Sequence, residues 1–196
     1  MLDLPTPRIS NQAYVSSTAS IVGDVTIAGK CIILPQVSIR ADEGSPFFIA
    51  KGTNIQDRVV IHGLLDKFVK VAGKNYSVYI GSHCSIAHGA LIHGPAWIDK
   101  KCFIGFNATV YYSTIGRNCY IDTGAIVQGV RLKPKSYVPC GAVIDNQDKV
   151  DALALIADEH LKFNKEVVDF NKNLCAAHLD YEAGEIIKPA TIYLEP

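Results

Sequence analysis

The chain carries no excess of charge of either sign: 19 Lys and Arg stand against 19 Asp and Glu among 196 residues. A nucleic acid or an anionic membrane would therefore meet no attractive field, and neither is expected as a partner. No uninterrupted apolar stretch approaches the roughly 20 residues of a membrane span, and Met1 to Ser10 lacks the basic and apolar regions of a secretory signal. The expectation is a soluble cytoplasmic protein. Six cysteines occur without a CxxC pair, so their spacing shows neither a zinc ribbon nor a dithiol redox motif.

What the chain does have is a rhythm of six. Val15, Ile21, Ile27, Ile33 and Ile39 form one run of aliphatic residues, and Ile80, Ile86, Ile92, Ile98, Ile104 and Val110 form another. The count resumes in Ile49, Ile55 and Ile61, in Ile115, Ile121 and Val127, and in Leu132, Val138 and Ile144. Such a repeat predicts a β-helix whose short strands wrap round one core and stack coil on coil. The fourth residue after each guide position is usually small, as with Ala19, Thr53, Ala90 and Ala108, which suits the narrow interior of a triangular prism. Cys31, Cys84, Cys102 and Cys119 occupy that same position and are expected as reduced packing residues. The redox state of Cys140, near a corner, and of Cys175, beyond the prism, is left open by the pattern.

Two interruptions bracket one coil. Asp42 to Pro46 adds residues between Ile39 and Ile49, and Leu64 to Ser77 departs between Ile61 and Ile80. A prism tolerates insertions only at its corners, and loops that leave a rigid scaffold are where function is usually placed. After Ile144 the rhythm ends, and Asp145 to His178 reads as helix, with Phe163, Val167, Phe170 and Leu174 as an apolar stripe. That stripe should lie on a prism face or against a neighbouring subunit. The expected division is a β-helix over 1–144, a helix over 145–180 packed on the prism, and an extended tail over 181–196.

The repeat also places the histidines. Ile39, Ile61 and Ile92 fall on one face in successive coils, so Arg40, His62 and His93, each one residue later, point outward in a column. Neighbouring strands lie about 4.8 Å apart, which lets His62 and His93 share one metal ion. His88 sits at the preceding corner, and five residues of extended chain put it on the order of 15 Å from His93. A neighbouring chain in a threefold assembly can supply it, which predicts three metal sites per trimer, each shared between subunits. His62, His88 and His93 are each followed by glycine (Gly63, Gly89, Gly94), whereas His83, His160 and His178 are expected as solvated surface residues. Three neutral imidazoles with an open fourth position suit a catalytic site, and accept zinc, ferrous iron or cobalt.

The segments Ser38 to Gly44, Asn54 to Asp57, Val60 to Gly63, and Ala87-His88 through His93-Gly94-Pro95 resemble the gamma-class carbonic anhydrases. Within that family the chain is most similar to the amino-terminal domain of the carboxysome scaffold protein M. The resemblance covers about Val15 to His178. It implies an all-β, left-handed parallel β-helix with a C-terminal α-helix, assembled as a homotrimer. It also implies zinc or a related metal on His62, His88 and His93, and reversible hydration of carbon dioxide to bicarbonate by a metal-bound hydroxide at the trimer interface. Gln56 resembles the residue that orients the hydroxide, Glu43 the carboxylate that exports protons, and Asn171 a helix residue facing the pocket. Arg40, Asp42 and Asp57 look like inter-subunit ion pairs. Two departures stand out: Leu64 to Lys67 offer no second proton-carrying glutamate, and Asp169 replaces a tyrosine usual two residues before the pocket asparagine.

A second reading is a carboxysome interaction domain, working with other carboxysome proteins and with weak, redox-controlled or lost activity; Cys175 makes redox dependence worth testing. Under it the chain is a free-standing homologue or an excised domain, located in the cytoplasm or within a carboxysome. A hexapeptide acyltransferase shares the prism and the trimer, but three converging histidines argue against it.

Overall fold

In a computed structural model of the chain, residues 4–182 are described. Three parallel sheets of seven strands each wrap one core. The first face runs from Arg8–Ile9 to Arg131–Leu132, the second from Tyr14–Val15 to Tyr137–Val138, and the third from Ser20–Gly23 to Val143–Ile144. Strands of two to four residues suffice because nearly all contribute one or two inward apolar side chains and then turn a corner. On the third face Ile39 lies opposite Ile61, Ile61 opposite Ile92, Ile92 opposite Val110, and Val110 opposite Val127. All five are fully buried, so the guide residues stack into continuous aliphatic columns.

The small inward position at the corner between the first and second faces forms a polar ladder. The Cys31 thiol donates to the Ala50 carbonyl at 3.2 Å, Thr53 to Gly81 at 2.8 Å, and Cys84 to Asp99 at 3.1 Å. Cys102 then donates to Gly116, and Cys119 to Lys133, both at 3.1 Å. Each rung fastens one coil to the next, and no cysteine is disulfide-bonded. Outside this ladder the corner turns through left-handed backbone at Lys30, Gly52, His83, Lys101, Asn118 and Lys135, with φ from 57° to 72°. The backbone N–H of Lys101, Asn118 and Lys135 donates to the carbonyl of Ser82, Lys100 and Arg117 respectively, so these corner residues stand in a column.

The two insertions meet at the corner between the third and first faces. The longer one carries an antiparallel hairpin, Val69–Val71 with Lys74–Tyr76. Gly44 of the shorter one donates its N–H to the Gly63 carbonyl at 3.2 Å. Glycine is needed there because a Cβ would collide with the Leu64 carbonyl and Ser77.

The C-terminal segment differs from the single helix expected over 145–180. It forms α1 (Gln147–Asp151) and α2 (Asp158–Glu182), separated by an extended stretch. In that stretch Tyr137 N–H donates to the Ala154 carbonyl at 2.9 Å and Ile156 N–H to the Lys135 carbonyl at 2.8 Å. The chain straightens because it supplies partners to the otherwise open edge of the last coil. Tyr181 and Glu182 belong to α2, and the rest of the expected tail, 183–196, lies outside the described residues.

The face that α2 turns to the prism also differs from the expected one. Asn164, Val168, Asn171 and Cys175 are buried, whereas Phe163 is 42% and Phe170 67% exposed. Polar side chains on the buried face hold corner carbonyls: Asn164 Nδ2 donates to Lys101 at 3.1 Å and the Cys175 thiol to Cys31 at 3.2 Å. Phe170 is thereby turned outward, while Phe163 sits at the rim with its ring edge-on to Phe103 of the prism, centroids 5.5 Å apart. No described helix is long and apolar enough to cross a membrane.

Candidate metal centre

The third face brings His62 and His93 together. They end adjacent strands, Val60–His62 and Leu91–His93, and are paired in register. His62 Nδ1 lies 3.2 Å from His93 Nε2. The remaining nitrogens show where the protons are. His93 Nδ1 sits 3.1 Å from the Gly94 carbonyl, which can only accept, so Nδ1 carries the proton and Nε2 presents its lone pair. His62 Nε2 lies 3.3 Å from Asp42 Oδ1 and accepts a hydrogen bond from the Arg40 guanidinium at 3.5 Å; a guanidinium can only donate, so the His62 proton is on Nδ1, facing His93 Nε2.

The two imidazoles thus share one hydrogen bond, with His93 Nε2 accepting. A metal ion taking the place of that proton fits the spacing: two imidazoles bound at 2.0–2.1 Å to one tetrahedral ion have nitrogens about 3.3 Å apart. The donor set fits a divalent metal. Partners on the outer nitrogens are what a metal-binding histidine requires to hold its ring and tautomer.

His88 is prepared in the same way but elsewhere. It follows the strand Ser85–Ile86 at the corner leaving the second face, and its Nδ1 lies 2.9 Å from Asp57 Oδ2. The ring stacks on Phe106, with centroids 5.8 Å apart, and lines a cleft with Leu34, Gln56, Phe170 and Asn171. Among the described residues of one chain, no three His, Cys, Asp or Glu side chains gather round a point. One chain therefore presents a pair of donors in one place and a single donor in another.

Gln56 and Asn171 meet in the His88 cleft, not beside the pair. Both are buried; Gln56 Nε2 donates to Asn54 Oδ1 at 3.0 Å, and Asn171 Nδ2 to the Val167 carbonyl at 2.9 Å. With its amide nitrogen held, Gln56 has its carbonyl oxygen left to accept a further hydrogen. Glu43 lies beside the pair, with Oε2 3.7 Å from His62 Nε2 and Oε1 accepting the Leu65 N–H at 3.3 Å. Arg40 pairs with Asp42 at 3.1 Å within the chain. Burial alone would raise the Asp42 carboxyl, but backbone hydrogen bonding and the Arg40 charge outweigh it and hold the group below its usual range.

Several contributors were not singled out from sequence: the Gly94 carbonyl, Asn54, Phe106, and Tyr111, which pairs in register with His93. Counting sixes would have found Tyr111, one residue after Val110. A carbonyl acceptor leaves no mark in a sequence. The three histidines expected at the solvated surface are each half-buried: His178 stacks on Tyr14 at 4.2 Å, His160 on Tyr137 at 4.6 Å, and His83 lines a cleft beside α2. Asp169 points to that second cleft and pairs with Lys165 at 2.6 Å.

No family model matches the chain. It is 36% identical over 184 residues to a carbonic anhydrase of Methanosarcina thermophila, a match spanning 88% of this chain and 74% of that one. It is 42% identical over 183 residues to the carboxysome assembly protein CcmM of a Nostoc species, covering 93% of this chain and 33% of the other. The chain thus spans about a third of the length of that protein. A solved structure of a candidate acetyltransferase from Bacillus cereus superposes with a TM-score of 0.74 at 19% identity, over 89% of this chain and 92% of that one. At that identity the likeness concerns the hexapeptide-repeat fold alone.

Proposed function

Since the chain belongs to the gamma-class carbonic anhydrase family, we propose that it hydrates carbon dioxide reversibly to bicarbonate. The reaction takes place at a metal ion held by His62 and His93 of one subunit and His88 of the next in a homotrimer. The observation that carries this reading is the in-register pairing of His62 and His93, whose Nδ1 and Nε2 lie 3.2 Å apart, the spacing of two ligands on one ion. A metal bound there would lower the pKa of a coordinated water to about 7 and supply the nucleophile for carbon dioxide at neutral pH.

The chain's own residues perform the rest. Gln56, its amide nitrogen tied to Asn54, accepts a hydrogen from the reacting water and fixes its orientation. Asn171 and the aliphatic and aromatic walls of the His88 cleft exclude bulk water. Glu43 takes the released proton at its carboxylate and passes it to buffer; no second glutamate stands in Leu64 to Lys67. Asp57 and the Gly94 carbonyl keep His88 and His93 in the tautomer that leaves Nε2 free.

Two exposed apolar surfaces support the trimer. On the third face Val60 lies outward and exposed on the strand that carries His62, with Ile126 and Val143 exposed on later coils of the same face, and on α2 Phe163 and Phe170 are exposed beside the His88 cleft. Packing the corner of one prism against the third face of the next covers both and brings the third donor to the pair. Arg40 and Asp42 then lie near Asp57 of the neighbour, where inter-subunit ion pairing is the role proposed for all three. Zinc, ferrous iron and cobalt all suit the donor set. The similarity to CcmM favours a second role as an interaction domain with other carboxysome proteins, in the cytoplasm or within a carboxysome, with activity that is weak, redox-controlled or lost.

Stopped-flow carbon dioxide hydration, with metal quantified in the same sample under reducing and oxidising conditions, tests both readings. The enzyme reading expects activity and one metal per subunit, lost together in His88→Ala and in His93→Ala. Full metal retention in either variant refutes the ligand assignment, and metal without turnover in every redox state leaves the interaction role.

A further inference from the structure

The cleft that holds His88, Gln56 and Asn171 also receives Glu166, from α2. Among the described residues that line it, Glu166 is the one carboxylate, and no lysine or arginine faces it. Its charge is only loosely engaged: among the described residues the nearest cationic atom is Lys162 Nζ at 3.9 Å, beyond hydrogen-bonding distance.

Helix spacing fixes where this carboxylate stands. Glu166 shares a flank of α2 with Phe163, three residues earlier, and Phe170, four later, and both are exposed. Val167, Asn171 and Leu174 form the neighbouring flank, on which Asn171 is buried, as is Gln56 from the prism. Glu166, with 63% of its side chain exposed, therefore stands at the mouth, between a buried amide floor and bulk solvent. The cleft is about 490 Å³ in volume. At about 30 Å³ per water it has room for several, enough to bridge floor and mouth.

Glu43 reaches the site from the other side. Its Oε2 faces His62 Nε2, the nitrogen turned away from His93, and its Oε1 is tied to the Leu65 N–H. It belongs to the subunit that contributes the His62–His93 pair, whereas Glu166 belongs to the subunit that contributes His88.

Resting on the hydration reading above, we infer that Glu166 carries the released proton out of the His88 side of the site. An O–H bond of the reacting water breaks, the proton passes along water in the cleft, and an O–H bond forms on the Glu166 carboxylate. The neutral acid then gives the proton to a buffer base at the mouth, and nothing is oxidised or reduced.

Stopped-flow hydration in dilute and in concentrated imidazole buffer tests this, with metal content and a thermal melt as controls. Glu166→Gln keeps the size of the side chain and removes the proton acceptor. In dilute buffer it should lower kcat by about tenfold or more with kcat/KM unchanged, because only proton release is slowed. Concentrated imidazole should restore kcat, and Glu166→Asp should retain most of it. Position is read separately, by carbon NMR of protein labelled at its glutamate carboxyls. Replacing zinc by paramagnetic cobalt should broaden the signal that Glu166→Gln lacks more than that of Glu159, which lies seven residues, about 10 Å, away along α2. A parent chain without hydration activity refutes the enzyme reading and, with it, this one. In an active parent, an unchanged kcat for Glu166→Gln in dilute buffer, a parallel fall of kcat and kcat/KM, or a Glu166 signal that cobalt leaves sharp overturns the proton route alone.

Discussion

Asp57 touches no proposed substrate, yet it should set how tightly the metal is held. Its Oδ2 lies 2.9 Å from His88 Nδ1, and the two side chains are 37% and 46% exposed. A close contact between a carboxylate and an imidazole this exposed contributes up to about 1 kcal/mol after solvent screening. Part of that energy holds the ring with Nε2 unprotonated and facing outward, so removing the carboxylate lets His88 rotate and exchange tautomers. Loss of such an outer partner typically weakens metal binding by 10- to 100-fold, and the partial exposure here points to the lower end, about tenfold. Asp57→Asn keeps an oxygen acceptor at the same place and should weaken binding less than Asp57→Ala. Competition for zinc against a fluorescent chelator measures both, with a thermal melt of the metal-free protein as control. If Asp57→Ala binds zinc as tightly as the parent while His88→Ala does not, the tautomer argument is wrong.

Ile92 is fully buried between Ile61 and Val110 and directly precedes His93, so Ile92→Ala should cost about 2–5 kcal/mol in a urea melt; a smaller loss would mean the column is not close-packed. Cys102→Ser keeps a donor toward the Gly116 carbonyl, now accepting from the thiol at 3.1 Å, and should be the milder change, whereas Cys102→Ala loses about 1 kcal/mol more; the reverse order in denaturant unfolding would deny the ladder its role. Tyr120 is pushed up to about 12 by burial, then by the Asp122 and Tyr137 charges. Its raised value means the folded form favours the neutral phenol, so this contribution is complete below pH 10 and is lost as pH rises toward 12. Ultraviolet phenolate titration should show a late class of tyrosine that shrinks in Tyr120→Phe, and full ionisation near pH 10 would contradict the burial.

The prism was legible because one residue in six must be aliphatic for a three-faced coil to close, and the guide residues from Val15 to Ile144 are the ones that stack. The same count paired His62 with His93, since register along a parallel ladder is arithmetic. The buried side of α2 was not legible. Phe163 and Phe170 look like core from their spacing, but hydrogen bonds from Asn164 and Cys175 to corner carbonyls set the buried face, leaving Phe163 at its rim against Phe103 and Phe170 outside it, and carbonyls carry no sequence signature. The break between α1 and α2 was missed for a related reason: Ala154 and Ile156 straighten to satisfy the edge of the last coil, a demand set by residues 135–137 and not by their own propensity.

The ladder of thiols and hydroxyls links each coil only to the next, so the prism should come apart like a zip, from its ends. The strands carrying Arg40, His62 and His93 are the second, third and fourth of seven on their face. Unravelling from the far end must pass through three coils before reaching the fourth, and from the near end through one before reaching the second. Hydrogen exchange should therefore be slowest where the imidazoles are mounted, with the spare coils serving as sacrificial length.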